Sequence, residues 1–244
     1  MDKDPPAGRR DLDSARARIG EMFDRIAATY DFLNHVLSLG RDFAWRRKVA
    51  GLLDNGGGLK VADLATGTGD LLIALSQRHP DLTEAVGLDI SEQMLNVFRQ
   101  KLQRIGLGDR VRLLRADASA TPFSGGTFDV VTMGFGIRNT RDVRATLREI
   151  HRILKPGGRA LILEFSLPKN RVVRWCHVEY LRHGIPLIGA VISRDRQAYR
   201  YLNESIEAFY PPGEFCALMS DVGFTRVSAT PLTWGVASIY QGSK

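Results

Sequence analysis

A stretch early in the chain, Leu59-Lys-Val-Ala-Asp-Leu64 running into Ala65-Thr-Gly-Thr-Gly-Asp70, restricts the fold more than any other. The apolar run reads as a strand that ends at Asp63 and breaks into a turn of small residues. Leu71, Leu72, Ile73 and Leu75 then come at the core spacing of a helix. Strand, glycine turn and helix in that order let a ligand lie against bare backbone at the carboxyl end of a strand, where open α/β sheets bind. Many nucleotide-type binders share this turn, so its meaning depends on the rest of the chain.

Beyond the turn, strands and helices alternate. Strand 60–64 leads to a helix near 69–79, closed by His79-Pro80. Strand 84–89 leads to a helix capped by Ser91, with Met94, Leu95, Phe98 and Leu102 on one face. Strand 110–116 ends at Asp117, and strand 128–133 runs into Gly134-Phe-Gly136. A helix over 141–154 stops at Lys155-Pro-Gly-Gly158, and strand 159–165 comes next. Strands alternating with helices predict a parallel sheet covered on both faces. Ahead of it, residues 19–53 carry a helical pattern interrupted at Gly40, and Asn55-Gly-Gly-Gly58 is a linker, so 19–56 is expected to form an amino-terminal cap. The binding domain is expected over 57–244. Within it, residues 170–210 read as a helical lid inserted before the last strands, and 222–229 and 234–240 as a closing hairpin on the sheet edge. Residues 1–18 read as a disordered tail that has no apolar h-region, unlike a signal peptide.

Composition narrows the function classes. No run approaches the roughly 18 apolar residues that span a bilayer. Cys176 and Cys216 are too few for a disulfide framework or zinc site, and the histidines show no metal spacing, so a cytoplasmic protein without metal is expected. The net charge is +7, and the segment 169–200 holds seven Lys and Arg against Glu179 and Asp195. Such a patch suits nucleic acid, anionic lipid or an acidic substrate; a solvated helix face reads equally well. Aromatic residues are not interleaved with the bases as stacking platforms require, so nucleic acid is not expected as a partner.

Three acids, Asp63, Asp89 and Asp117, stand at successive strand ends. Asp89 lies about 20 residues beyond the glycine turn, the separation at which a carboxylate meets a ribose diol. Asp117, followed by Ala118, can accept from an adenine amino group. Each acid also reads as a cap or turn residue. A dinucleotide loop would be Gly-x-Gly-x-x-Gly, but Asp70 stands where the last glycine would fall, and an acid there suits a cationic sulfonium better than a pyrophosphate. Phosphate-loop, nucleophile-elbow and His-Glu-x-x-His motifs do not occur. This combination favours S-adenosyl-L-methionine. Arg138 comes after the fourth strand at the same rim, where its fixed charge would lower the pKa of a phenolic substrate; pairing with an acid to hold the loop is the alternative. Asn139 either orients a substrate oxygen or caps the helix at 141.

The chain resembles the ubiquinone/menaquinone biosynthesis C-methyltransferase family of class I methyltransferases. The resemblance rests on Met22–Asp31 with Phe32-Leu-Asn34 and Leu37-Ser38, Asp63–Asp70, Phe135-Gly-Ile-Arg-Asn139, Arg152–Gly158, Leu163-Glu-Phe-Ser166 and Tyr199–Ile206. It departs at Asp42, where the family commonly has His, and at Gly134, where some members have Ser. The resemblance implies a Rossmann-like, mostly parallel seven-stranded sheet. It implies methyl transfer to a ring carbon of a prenylated quinol, either demethylmenaquinol or the methoxy-polyprenyl-benzoquinol precursor of ubiquinol. Cofactor contacts are expected from Tyr30, Asp63, Ala65, Gly67, Thr68, Gly69, Asp89, Ile90, Met94, Asp117, Ala118 and Gly134. Arg138 and Asn139 are expected to be catalytic, and Tyr199, Tyr201 and Glu204 to line the quinol pocket or else to form a structural hydrogen-bond cluster. Gly184–Ile192, flanked by Arg182, Arg194 and Arg196, suits a segment touching the inner face of a membrane, or a core helix. A homodimer is compatible with this reading. Rival functions are O- or N-methylation of a small molecule, RNA methylation, and non-catalytic S-adenosylmethionine binding.

Overall fold

The computed structural model describes residues 19–27, 30–53, 57–184 and 196–244. Seven strands form one sheet: β1 (Lys60–Leu64), β2 (Glu84–Asp89), β3 (Val111–Arg115), β4 (Phe128–Gly134), β5 (Leu154–Phe165), β6 (Thr225–Leu232) and β7 (Ala237–Ser243). Their order is β3-β2-β1-β4-β5-β7-β6. The first five strands are parallel, and β7 is antiparallel to both β5 and β6. The closing hairpin therefore forms at the edge, with β7 between β5 and β6.

Alternate residues of the parallel strands feed two separate cores, as the period-2 pleat requires. Val61, Val130 and Leu161 pack on one face with Trp45, Leu72 and Phe98. Ala62, Val131 and Ile162 pack on the other with Leu147, Ile150 and Phe215. The helices that cover these faces are α4 (Asp70–Arg78), α5 (Glu92–Arg104), α6 (Val143–Ile153) and α9 (Pro212–Val222), while α1 (Ile19–Ile26), α2 (Tyr30–Leu37) and α3 (Arg41–Ala50) form the cap. The inserted segment holds α7 (Arg171–Glu179), one π-turn over Tyr180–Gly184 and α8 (Arg196–Glu207). Apart from Gly184, the apolar stretch 184–192 lies outside the described residues.

Local chemistry accounts for the helix starts. Ser91 Oγ accepts from the Met94 N–H at 3.1 Å. Asp142 Oδ1 accepts from Ala145 at 2.9 Å and starts α6. One boundary departs from expectation: β5 begins at Leu154 rather than residue 159. Phe128 pairs with Leu154 and Val130 with Arg159, so Lys155-Pro-Gly-Gly158 is a bulge within the strand.

Candidate active site

A cavity of about 310 Å³ opens at the carboxyl ends of β1, β2 and β4, under the cap. Its walls include Tyr30, Ala65, Gly67, Asp89, Ile90, Met94, Asp117, Ala118, Gly134 and Asn139 from the expected set. Asp63, Thr68, Gly69 and Arg138 are not part of the wall.

The glycine turn is fixed by two of the acids. The Gly67 N–H donates to Asp89 Oδ2 at 2.8 Å, and the Ser91 N–H donates to Asp89 Oδ1 at 2.9 Å. These bonds orient the carboxylate in the wall and leave each oxygen a further lone pair for a ligand. Burial pushes the Asp89 carboxyl above its ordinary range, against the pull of the backbone N–H groups. Asp117 Oδ1 accepts from the Ser119 N–H and hydroxyl, so it is both a turn residue and a wall residue. Asp63 lies deeper. Thr66 and Thr132 each donate to it at 2.6 Å, tying β1 to β4 and to the turn. Burial pushes its carboxyl up to about 6.

Gly69 adopts φ +84°, and a Cβ there would fall 2.1 Å from the Phe98 ring. Its part is to let α5 pack against the turn. A Cβ on Gly67 would sit 3.7 Å from Tyr30 Cε1, so the cap tyrosine lies over the loop. Burial raises the Tyr30 phenol pKa, while the charges of Arg138 and Arg46 oppose the rise.

Asp70 does not face the cavity. Its carboxylate meets Lys101 Nζ at 2.6 Å and Arg46 at 3.7 Å, and Lys101 also holds Asp31 at 2.6 Å. Thr68 Oγ1 donates to Asp31. These contacts bind the glycine loop to the cap, and they neutralise the acid that sequence spacing alone sets beside a cationic donor. The helical geometry of α4 directs its first side chain toward the cap. Asp42, where the resembling family commonly has His, is buried between Ser38, His35 and Arg46, whose hydrogen bonds hold its carboxyl below the usual range against desolvation.

Arg138 sits on a single 3₁₀ turn, Ile137–Asn139, after β4. Its Nη1 donates to Glu164 Oε1 at 2.6 Å and to the Phe135 carbonyl at 2.7 Å, and its guanidinium lies over the Phe165 ring. The ion pair expected as the alternative role is therefore present. Burial raises the Glu164 carboxyl pKa, and the Arg138 charge opposes that rise. Asn139 Nδ2 donates to the Phe135 carbonyl at 3.2 Å, and its Oδ1 accepts from the Tyr201 hydroxyl at 3.1 Å. Asn139 does not cap the next helix, because Asp142 does so three residues later.

Of the three expected quinol residues, only Tyr201 is shown turned into the fold, buried on α8. Glu204 is exposed on the same helix, neither Tyr201 nor Glu204 is part of the cavity wall, and the Tyr199 side chain lies outside those described. Sequence reasoning missed Glu164. An acid inside an apolar strand buried on both faces requires a cation nearby, and that signal was available. It also missed Phe23, Arg115 and Arg141 in the wall. Among the described residues no group of His, Cys, Asp and Glu is arranged to hold a metal ion, and no helix is long and apolar enough to cross a membrane.

The chain resembles solved methyltransferases in fold. A SAM-dependent methyltransferase from Thermotoga maritima superposes with a TM-score of 0.65 at 19% identity, covering 92% of this chain and 99% of that one. A SAM-dependent methyltransferase from Aquifex aeolicus gives 0.59 at 19%, covering 81% and 88%. Sequence relatives are nearer. Demethylmenaquinone methyltransferase of Thermus thermophilus is 44% identical over 223 residues, 91% of this chain and 100% of the relative. Ubiquinone/menaquinone biosynthesis C-methyltransferase UbiE of Geobacter sulfurreducens is 42% identical over 227 residues, 93% and 88%. A family model matches residues 11–244, and the chain belongs to the ubiE/COQ5 methyltransferase family.

Proposed function

We propose that this chain transfers a methyl group from S-adenosylmethionine to a ring carbon of a prenylated quinol, either demethylmenaquinol or the benzoquinol precursor of ubiquinol, at a membrane surface. The observation that carries the reading is the 44% identity over nearly the whole chain to a demethylmenaquinone methyltransferase. The cavity supports it with a carboxylate, Asp89, already oriented by two backbone N–H groups beside a glycine turn. That acceptor pair fits a ribose diol, Asp117 fits an adenine amino group, and Ile90 and Met94 offer apolar walls to the base.

When bound, S-adenosylmethionine supplies an electrophilic methyl group on a sulfonium. The chain's own work is positioning, exclusion of water and control of a proton. Tyr30 and the cap cover the loop. Asn139, in the wall and fixed by Phe135 and Tyr201, is placed to receive a quinol oxygen. Arg138 acts beside it: its charge, shared with Glu164, holds the 135–139 turn and favours the ionised phenol, which makes the ring carbon nucleophilic. Asp63, Thr68 and Gly69 shape the cofactor loop from behind.

The test is a transfer assay with radiolabelled S-adenosylmethionine and reduced demethylmenaquinol or benzoquinol of short prenyl length, with products identified by mass spectrometry. Methylation of a ring carbon is expected. Retained cofactor binding without transfer to either quinol class would overturn the substrate assignment.

A further inference from the structure

The turn between β6 and β7 displays a tryptophan whose ring is turned to water. Trp234 is 80% exposed, and the backbone around it is held in unfavourable form, with Thr233 at φ +44° and Trp234 at φ +56°. Three bonds fix this turn. Trp45 Nε1 donates to Thr233 Oγ1 at 2.9 Å, Ser166 Oγ donates to the Gly235 carbonyl at 2.9 Å, and the Ser166 N–H donates to the Val236 carbonyl at 2.9 Å. A strained turn that presents a large apolar ring to water gains meaning where further exposed apolar side chains extend it into a patch.

Its position is set by topology. Phe165, the end of β5, pairs with Ala237, the start of β7, so the turn lies at the carboxyl end of β5. Because β5 is parallel to β4 and β4 to β1, this is the end of the sheet that carries the cavity. Gly235 abuts Pro168 there, a Cβ on it falling 3.3 Å from Pro168 Cα, and α7 starts three residues further on. Two apolar side chains one turn apart on α7 are also exposed, Val172 at 70% and Trp175 at 65%.

The exposed charge around these residues is mostly positive. Lys169, Arg171 and Arg174 are exposed, and the one acid of α7, Glu179, closes the helix and lies 3.4 Å from His183. On α3, which meets the turn through Trp45, the exposed charges are Arg41, Arg47 and Lys48, and the helix's one acid, Asp42, is buried. By contrast, Arg182 is neutralised by Glu207 at 2.6 Å.

We propose that this rim, through Trp234, Trp175 and Val172 ringed by Lys169, Arg171 and Arg174, docks on an anionic lipid bilayer. Tryptophan side chains settle at the headgroup level, and clustered Lys and Arg are drawn to anionic headgroups. A second copy of the chain fits less well, since a two-fold contact would set the cations against themselves. Docking in this orientation turns the cavity end of the sheet toward the phase that dissolves a prenylated quinol. In that respect the proposal rests on the substrate reading above.

The experiment is flotation of the full chain with vesicles of phosphatidylcholine alone or with added phosphatidylglycerol, combined with quenching of tryptophan emission by brominated lipid. Because Trp45 is buried, quenching reports Trp175 and Trp234. Salt-sensitive binding to the anionic vesicles is expected. It should fall about ten-fold or more in W175S/W234S and in K169E/R171E/R174E, while turnover of a water-soluble quinol with a truncated tail stays unchanged. Absence of wild-type binding, unquenched tryptophans, unchanged binding by both variants, or self-association abolished by W175S/W234S in place of lipid binding would each overturn it. Lipid binding through these residues by a chain that methylates no quinol would leave the surface standing and remove only the substrate reading.

Discussion

At the residue scale, Asp89 is oriented toward the cavity and Asp63 is buried behind it. Asp89 has an oxygen on each of two backbone donors and still faces the cavity, so it is the side chain whose loss should be felt in cofactor binding. Asp89→Ala is expected to weaken S-adenosylmethionine binding by about 100-fold, the loss of a hydrogen-bonded charged acceptor, with a folded chain remaining; calorimetric titration measures it. Arg138 faces a different demand, because its charge is shared with a fully buried acid. Arg138→Ala is expected to reduce turnover strongly while cofactor affinity stays within a few-fold. Glu164→Gln keeps the shape but removes the compensating charge, so the Arg138 field should then favour the phenolate at lower pH. A pH–rate profile shifted to lower pH in Glu164→Gln supports the assignment, and an unshifted one counts against it.

At the scale of elements, two contacts decide how α5 and α8 meet the turns around the cavity. Gly69 and Phe98 bring α5 onto the glycine turn with no room for a methyl group. Gly69→Ala combines a clash with an unfavourable φ and should destabilise the chain by about 3 kcal/mol, visible in thermal unfolding. On α8, Tyr201 donates to Asn139 across 62 residues of sequence. Tyr201→Phe removes that latch, worth about 1 kcal/mol, and is expected to raise KM for the quinol several-fold with kcat nearly unchanged. The cap is bound differently, by ion pairs: Lys101 bridges Asp31 and Asp70, and Asp42 anchors His35 and Arg46. These contacts give Asp31, Asp42 and Asp70 structural work away from the cavity wall.

At the scale of the whole molecule, the buried Asp63 carboxyl couples stability to pH. Its pKa is about 6 in the fold against 3.8 ordinarily. The folded state therefore binds more proton between those values, and its stability declines as pH rises through that window. The decline from this group amounts to roughly 2 kcal/mol from pH 4 to 6. Asp63→Asn cannot titrate, so denaturant unfolding at pH 4, 5 and 6 should show a flatter profile than the parent. An equal slope in both proteins would exclude Asp63 as the source.

Much of the architecture is legible in the sequence alone because it is governed by short-range rules. The alternation of apolar strands with helices at core spacing predicts the parallel sheet. Ser91 caps its helix as the spacing predicts, and the Gly67–Gly69 turn lies beside the cavity. Acids at strand ends come to one rim because parallel strands finish there. The orientation of those acids was decided only by tertiary contacts. Asp89 and Asp117 reach the cavity, Asp63 is drawn inward by Thr132, and Asp70 is turned to Lys101 and Arg46. The same holds for Glu164, whose partner lies 26 residues away, and for Asn139, whose alternative reading as a cap falls to Asp142. Periodicity fixes which face of an element is buried, but a charged side chain goes where a distant partner offsets its desolvation, and that partner exists only once the chain has folded.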